Sequence, residues 1–146
     1  MSMLNCIIVD DEPLAVHLLE SYVEKTSDLQ LLASYTDSIK AINAIKDQKP
    51  NLVFLDIQMP NIDGMELAHS LPEQARVIFT TAFKEYAFES YEVDAVDFLL
   101  KPIRYNKFLM AVEKARKLIE SHGDTQQPNT IFIRVDSEWR NMLSAK

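Results

Sequence analysis

Residues 52–56 read LVFLD, four apolar residues closed by an aspartate. Pro50-Asn51 precede them, and a turn signal follows, Pro60-Asn61-Ile62-Asp63-Gly64. A short apolar run without alternation predicts a strand covered on both faces, as in a parallel sheet. It is the most apolar strand of the chain. The carboxylate of Asp56 at its end needs a partner, because an unpaired buried charge is costly. Three more apolar runs end in residues with chemistry. Residues 6–9 lead to Asp10-Asp11, 76–80 to Thr81, and 98–100 to Lys101-Pro102.

Strand and helix signals alternate outward from this centre. Residues 4–9 form a first strand. Pro13 opens a helix with Leu14, His17, Leu18, Tyr22 and Val23 at helical spacing. Residues 29–35 read as a second strand. Ser38 is placed to cap a helix over 38–48, with Ile39, Ile42 and Ile45 on one stripe. Short helices are predicted over 65–71 and 86–91, strands over 76–80 and 98–100, and a last helix over 106–121. That helix carries Phe108, Leu109, Val112, Ala115 and Ile119 inward. Strands joined by helical crossovers imply an α/β fold with a parallel sheet and right-handed connections. In such sheets ligands bind outside the carboxyl ends of the strands, where all four signals fall.

Of the 146 residues, 47% are hydrophobic and 25% charged, which fits one domain with its own core, residues 1–121. Residues 122–130, with Gly123, Pro128 and several polar residues, read as a linker. Residues 131–146 open with a strand-like run but are too few for a core, and are expected to be the cropped start of a second domain. A net charge of −7 argues against nucleic-acid binding by this chain. Cys6 is the single cysteine, so no internal disulfide is possible. No apolar run reaches membrane-spanning length and no leader opens the chain, so a cytoplasmic, membrane-free location is expected. The two glycines, Gly64 and Gly123, cannot form a phosphate-cradling glycine loop. No His/Cys spacing suits zinc.

Carboxylates gathered on one rim repel one another unless a cation sits among them. Mg²⁺ takes few carboxylates and a phosphate oxygen in octahedral geometry. A lysine and a hydroxyl beside them can receive an anionic oxygen group. This is the chemistry of a Mg²⁺-dependent phosphoryl acceptor with Asp56 as nucleophile. Asp11 is favoured for the metal and Asp10 behind it, although Asp10, Asp11 or Glu12 equally reads as a cap for the helix at Pro13. The backbone carbonyl of Gln58 is a further candidate ligand. Thr81 or Thr80 can serve a phosphoryl oxygen, but strand alternation lets only one do so. Lys101 can bridge the carboxylates as a compact point charge.

These residues resemble the receiver domain of bacterial two-component response regulators. The matching strings are IIVDDEP (7–13), VFLDIQMP (53–60) with Asp63-Gly64, VIFTTA (77–82) and AVDFLLKP (95–102), across roughly residues 4–121. The resemblance implies a flavodoxin-like (CheY-like), doubly wound five-stranded parallel sheet of order 2-1-3-4-5. It implies that Asp56 takes phosphoryl from a sensor histidine kinase, with Asp10 and Asp11 as the acidic pair and Asp11 the direct Mg²⁺ ligand. Gln58 supplies its carbonyl, Lys101 is the family lysine, and Thr81 and Phe98 are the switch pair. Phe98 stands where tyrosine is frequent. FTTAFKEYA (79–87) and 95–103 are most similar to the LytR/AlgR subgroup. IFIRVDSEW (131–139) resembles the opening of its LytTR DNA-binding domain, so DNA contact is expected only through the missing part.

The expected activity is a switch rather than turnover catalysis. Phosphorylation would reshape the face made by 85–97 and 104–116 and favour a homodimer through it. A Mg²⁺-dependent phosphatase is the first rival; such enzymes place an acid where this chain has Gln58. A phosphorylation-independent interaction module is the second, against which the full set Asp11, Asp56, Thr81 and Lys101 argues.

Overall fold

In the computed structural model, residues 3–83 and 95–124 are described, the last three by backbone alone. The elements are β1 (Leu4–Val9), α1 (Pro13–Glu24), β2 (Leu29–Tyr35), α2 (Ser38–Gln48), β3 (Leu52–Asp56), α3 (Gly64–His69), β4 (Arg76–Thr81), β5 (Asp97–Leu100) and α4 (Tyr105–Asp124). The linker was expected at 122–130, but its first three residues belong to α4; the helix expected at 86–91, residues 125–130 of that linker and the strand expected at 131–135 lie outside the described residues.

The five strands form one sheet in the order β2-β1-β3-β4-β5, every neighbouring pair parallel. β3 lies at the centre because every one of its residues is apolar or partnered, and all are buried. One layer of core lies between the sheet and α2 and α3: Ile7, Val9, Val53, Leu55, Val77 and Phe79 pack with Ala41, Ile45 and Leu67. The other layer brings α1 and α4 onto the opposite face. There Phe108 stacks on Phe54 at a ring separation of 5.1 Å, and Tyr22 leans on Phe108 at 5.3 Å. The Tyr22 hydroxyl donates to the Ile103 carbonyl at 2.7 Å, tying α1 to the segment entering α4. Arg116 is buried on α4 and meets Asp28 Oδ2 at 2.6 Å.

The amino ends of three strands are joined through Asn51. Its N–H donates to the Asn5 carbonyl (2.9 Å), its side-chain oxygen accepts the Asn5 N–H (2.8 Å), and its carbonyl accepts the Arg76 N–H (3.0 Å).

Several helical details differ from the sequence expectations. The buried stripe of α1 is Val16, Leu19 and Val23; Leu14 and His17 face solvent. Periodicity fixes that a stripe exists, but alternative sets one residue apart score alike when leucines lie on both. In α2, Asp37 is the cap: its side chain accepts the Ile39 N–H at 2.9 Å. Ser38 is the first helical residue, buried, and its hydroxyl donates to the Pro60 carbonyl at 3.3 Å. Ala41 and Ile45 face the core and Ile39 does not. Leu109 of α4 is likewise turned outward, while Ala111 and Arg116 are buried. α4 continues through Gly123, three residues beyond the expected end. Among the described residues, no helix is long and apolar enough to cross a membrane.

Candidate functional site

The carboxyl ends of β1, β3 and β5 deliver the principal side chains. Asp10 follows β1 and is fully buried; its N–H donates to the Tyr35 carbonyl at 3.0 Å. Asp56 closes β3 and is 4% exposed. Asp10, Asp11 and Asp56 each offer an oxygen, and these oxygens lie within 4.8 Å of one another, the one such acidic group among the described residues. Asp11 is the most open of the three.

Lys101 follows β5. Its ammonium reaches back across the rim to Asp10 Oδ2 at 2.9 Å, Glu12 Oε1 at 3.1 Å and Asp56 Oδ2 at 3.6 Å. Its backbone N–H donates to the Thr81 carbonyl at 2.8 Å, and the Lys101-Pro102 peptide is cis. The second oxygen of Asp10 accepts the Glu12 N–H at 2.9 Å, so Asp10 is held on both sides.

Gly64 supports Asp56 from below. Its N–H donates to the Ile57 carbonyl at 2.7 Å, and a Cβ at this position would overlap the Asp56 carbonyl oxygen. Glycine is required here by close backbone approach, not by positive φ. Asp63, the cap of α3, accepts the Glu66 N–H at 2.9 Å and fixes the turn.

Thr81 ends β4 and is buried; its hydroxyl accepts the Phe83 N–H at 3.1 Å. Thr80 aligns with Asp56 in the ladder and is also buried, with no hydrogen-bond partner for its hydroxyl in this structure. Gln58 is exposed two residues past Asp56. Phe98 stands apart from the rim residues: half-buried, it stacks on Phe79 at 5.2 Å on the α3 side of the sheet.

The electrostatics are unbalanced. Burial foremost, then the Asp10 carboxylate, and also Asp11, push the Asp56 carboxyl up to about 8 against the opposing pull of Lys101. Burial acts to lower the Lys101 pKa, but Asp10, Asp56 and Glu12 outweigh it and the ammonium is held above its usual value. One ammonium therefore meets three acidic side chains, with Asp11 a further acid beside them. A divalent cation fits the remaining excess: the donors are all oxygen, few and converging, as a hard ion requires.

Sequence reasoning found the three aspartates and the lysine because each stands at the end of an apolar strand. It missed Glu12 as a partner of Lys101. A glutamate before Pro13 reads as a helix cap, and it is the capping residue of α1, but its side chain makes no capping hydrogen bond.

A doubly wound sheet with an acidic, lysine-closed carboxyl rim defines a CheY-like receiver fold. The chain belongs to the response regulator receiver domain family, which residues 6–113 match, and so forms the receiver part of a two-component response regulator. It is 39% identical over 119 residues to the transcriptional regulatory protein BtsR of Escherichia coli, covering 78% of this chain and 50% of that protein. Among solved structures, the response regulatory domain of mrkE from Klebsiella pneumoniae has a TM-score of 0.73 at 30% identity, over 80% of this chain and 98% of that one. A CheX–CheY–BeF₃–Mg complex from Borrelia burgdorferi has a TM-score of 0.71 at 25% identity, over 77% of this chain and 89% of that one. The chain spans about half the length of the curated relatives it matches.

Proposed function

We propose that the domain is an aspartyl-phosphate switch. Asp56 accepts a phosphoryl group from the phosphohistidine of a sensor histidine kinase: the P–N bond breaks, an Asp56 Oδ–P bond forms, and the imidazole leaves. The single observation carrying this reading is the convergence of Asp10, Asp11 and Asp56 within 4.8 Å beneath Lys101. Mg²⁺, held by Asp11, Asp56 and the Gln58 carbonyl, would keep Asp56 ionised and offset charge on the transferred group. The relative solved with BeF₃ and Mg supports the same chemistry here.

Asp10 orients Lys101, and Lys101 offers its ammonium to a phosphoryl oxygen. Thr81 donates its hydroxyl proton to another. Phe98, packed on Phe79, follows Thr81 and alters the face made by 95–97 and 104–116; the rest of the face expected to respond, 85–94, lies outside the described residues. That face pairs two phosphorylated copies. In the full-length protein the pairing controls a LytTR-type DNA-binding output, and the domain works as a switch, not a turnover enzyme, in the cytoplasm.

The test is incubation with Mg²⁺ and a small phosphodonor, followed by intact mass. One phosphate adduct, absent from Asp56→Ala, is expected. An unchanged mass, or an adduct that survives Asp56→Ala, refutes the assignment.

A further inference from the structure

The geometry points to Glu12 as a latch on Lys101: a positioning residue that sets how readily the lysine turns to an incoming phosphoryl group. The inference rests on the phosphoryl-acceptor reading and adds a residue which that reading does not use.

An ammonium has three N–H donors and no acceptor. Three carboxylates surround Lys101 Nζ: Asp10 at 2.9 Å, Glu12 at 3.1 Å and Asp56 at 3.6 Å. Only Asp10 and Glu12 lie within hydrogen-bond distance, so the third N–H can turn towards a phosphoryl oxygen at Asp56 only as far as those two partners let the ammonium rotate. Asp10 cannot yield easily. It is fully buried, and releasing Lys101 would leave its charge uncompensated. Glu12 can. Its side chain is 66% exposed, so water replaces the lysine at small cost.

Glu12 is also well placed to hold on in the resting state. Its backbone N–H is fixed by Asp10 Oδ1 at 2.9 Å, and its carboxylate is not engaged in capping α1. It stands outside the trio whose oxygens converge for an ion. At 3.1 Å against 3.6 Å for Asp56, it engages an N–H of the ammonium that Asp56 does not.

The experiment compares wild type, Glu12→Gln and Glu12→Asp, titrated with beryllofluoride at fixed Mg²⁺ and followed by ¹⁹F NMR. Glu12→Asp keeps the charge but withdraws the carboxylate by one methylene. Both variants are expected to bind about two- to fivefold tighter than wild type, the range of an exposed ion pair given up. If neither tightens, or if only Glu12→Gln does, the latch is overturned, the second case assigning the effect to overall charge. A wild-type chain that takes up no beryllofluoride overturns the phosphoryl-acceptor reading itself, and the latch falls with it.

Discussion

The Lys101 N–H donates to the Thr81 carbonyl at 2.8 Å while the Lys101 ammonium grips Asp10 at 2.9 Å. One residue thus links the end of β4 to the end of β1 across the intervening Asp56. The hydroxyl and the ammonium proposed to receive phosphoryl oxygens are positioned by the same short segment.

Asp56 makes the ion-free domain pH-sensitive. Its folded pKa of about 8 stands above the ordinary 3.8, so the folded state holds a proton that the unfolded state releases. Its contribution therefore favours folding fully below about pH 4, and is lost as pH rises towards 8. Urea midpoints without Mg²⁺ should fall between pH 5 and 8 in the wild type and change less in Asp56→Asn. At pH 8 the variant should be the more stable by at least about 1 kcal/mol, and Mg²⁺ should raise the wild-type Tm but not that of the variant.

Gly64→Ala places a methyl group against the Asp56 carbonyl. Relief requires the β3–α3 connection to shift, at about 2 kcal/mol. Chemical denaturation should show that loss, and Mg²⁺ titration should show weakened binding, because the displaced backbone carries Asp56.

Arg116 is buried against Asp28. Removing the acid by Asp28→Ala takes away a carboxylate 2.6 Å from that buried guanidinium, and should cost about 3 kcal/mol. Arg116→Met removes the charge itself and should cost clearly less. Equal losses in thermal unfolding would contradict this.

Lys49 ends α2 in the left-handed region, with φ 51°. Glycine is at ease there and lysine is not. Lys49→Gly should stabilise the domain by about 0.5 kcal/mol, net of the added freedom of the unfolded chain, measured as a raised denaturation midpoint.

Phe83 is large, 45% exposed and adjoins Thr81, whose hydroxyl its N–H engages. With Gln58 it should shield an aspartyl phosphate from water. Phe83→Ala should shorten the adduct's lifetime, followed by intact mass over time.

The gathering of Asp10, Asp11, Asp56 and Lys101 was legible because strand ends obey topology: once the strands are parallel, their carboxyl ends share a rim. The order of the strands came from the resemblance to receiver domains, because periodicity marks strands without saying which lie side by side. The facing of helices was less legible. Leu14 and Val16 are both apolar, and only packing against the sheet decides that Val16 turns inward. Asp37 and Ser38 are both good caps, and the choice follows from the hydroxyl of Ser38 meeting Pro60. Glu12 was hidden for another reason: its partner lies 89 residues away, and nothing local marks the pairing.

Asn51 sews β1, β3 and β4 together at the end of the sheet remote from the acids. The base of the domain is thus cross-bonded and its charge is gathered at the opposite end. A change of charge at Asp56 would act first on Lys101 and the aspartates of the rim, which, among the described residues, no such backbone stitch joins to the base.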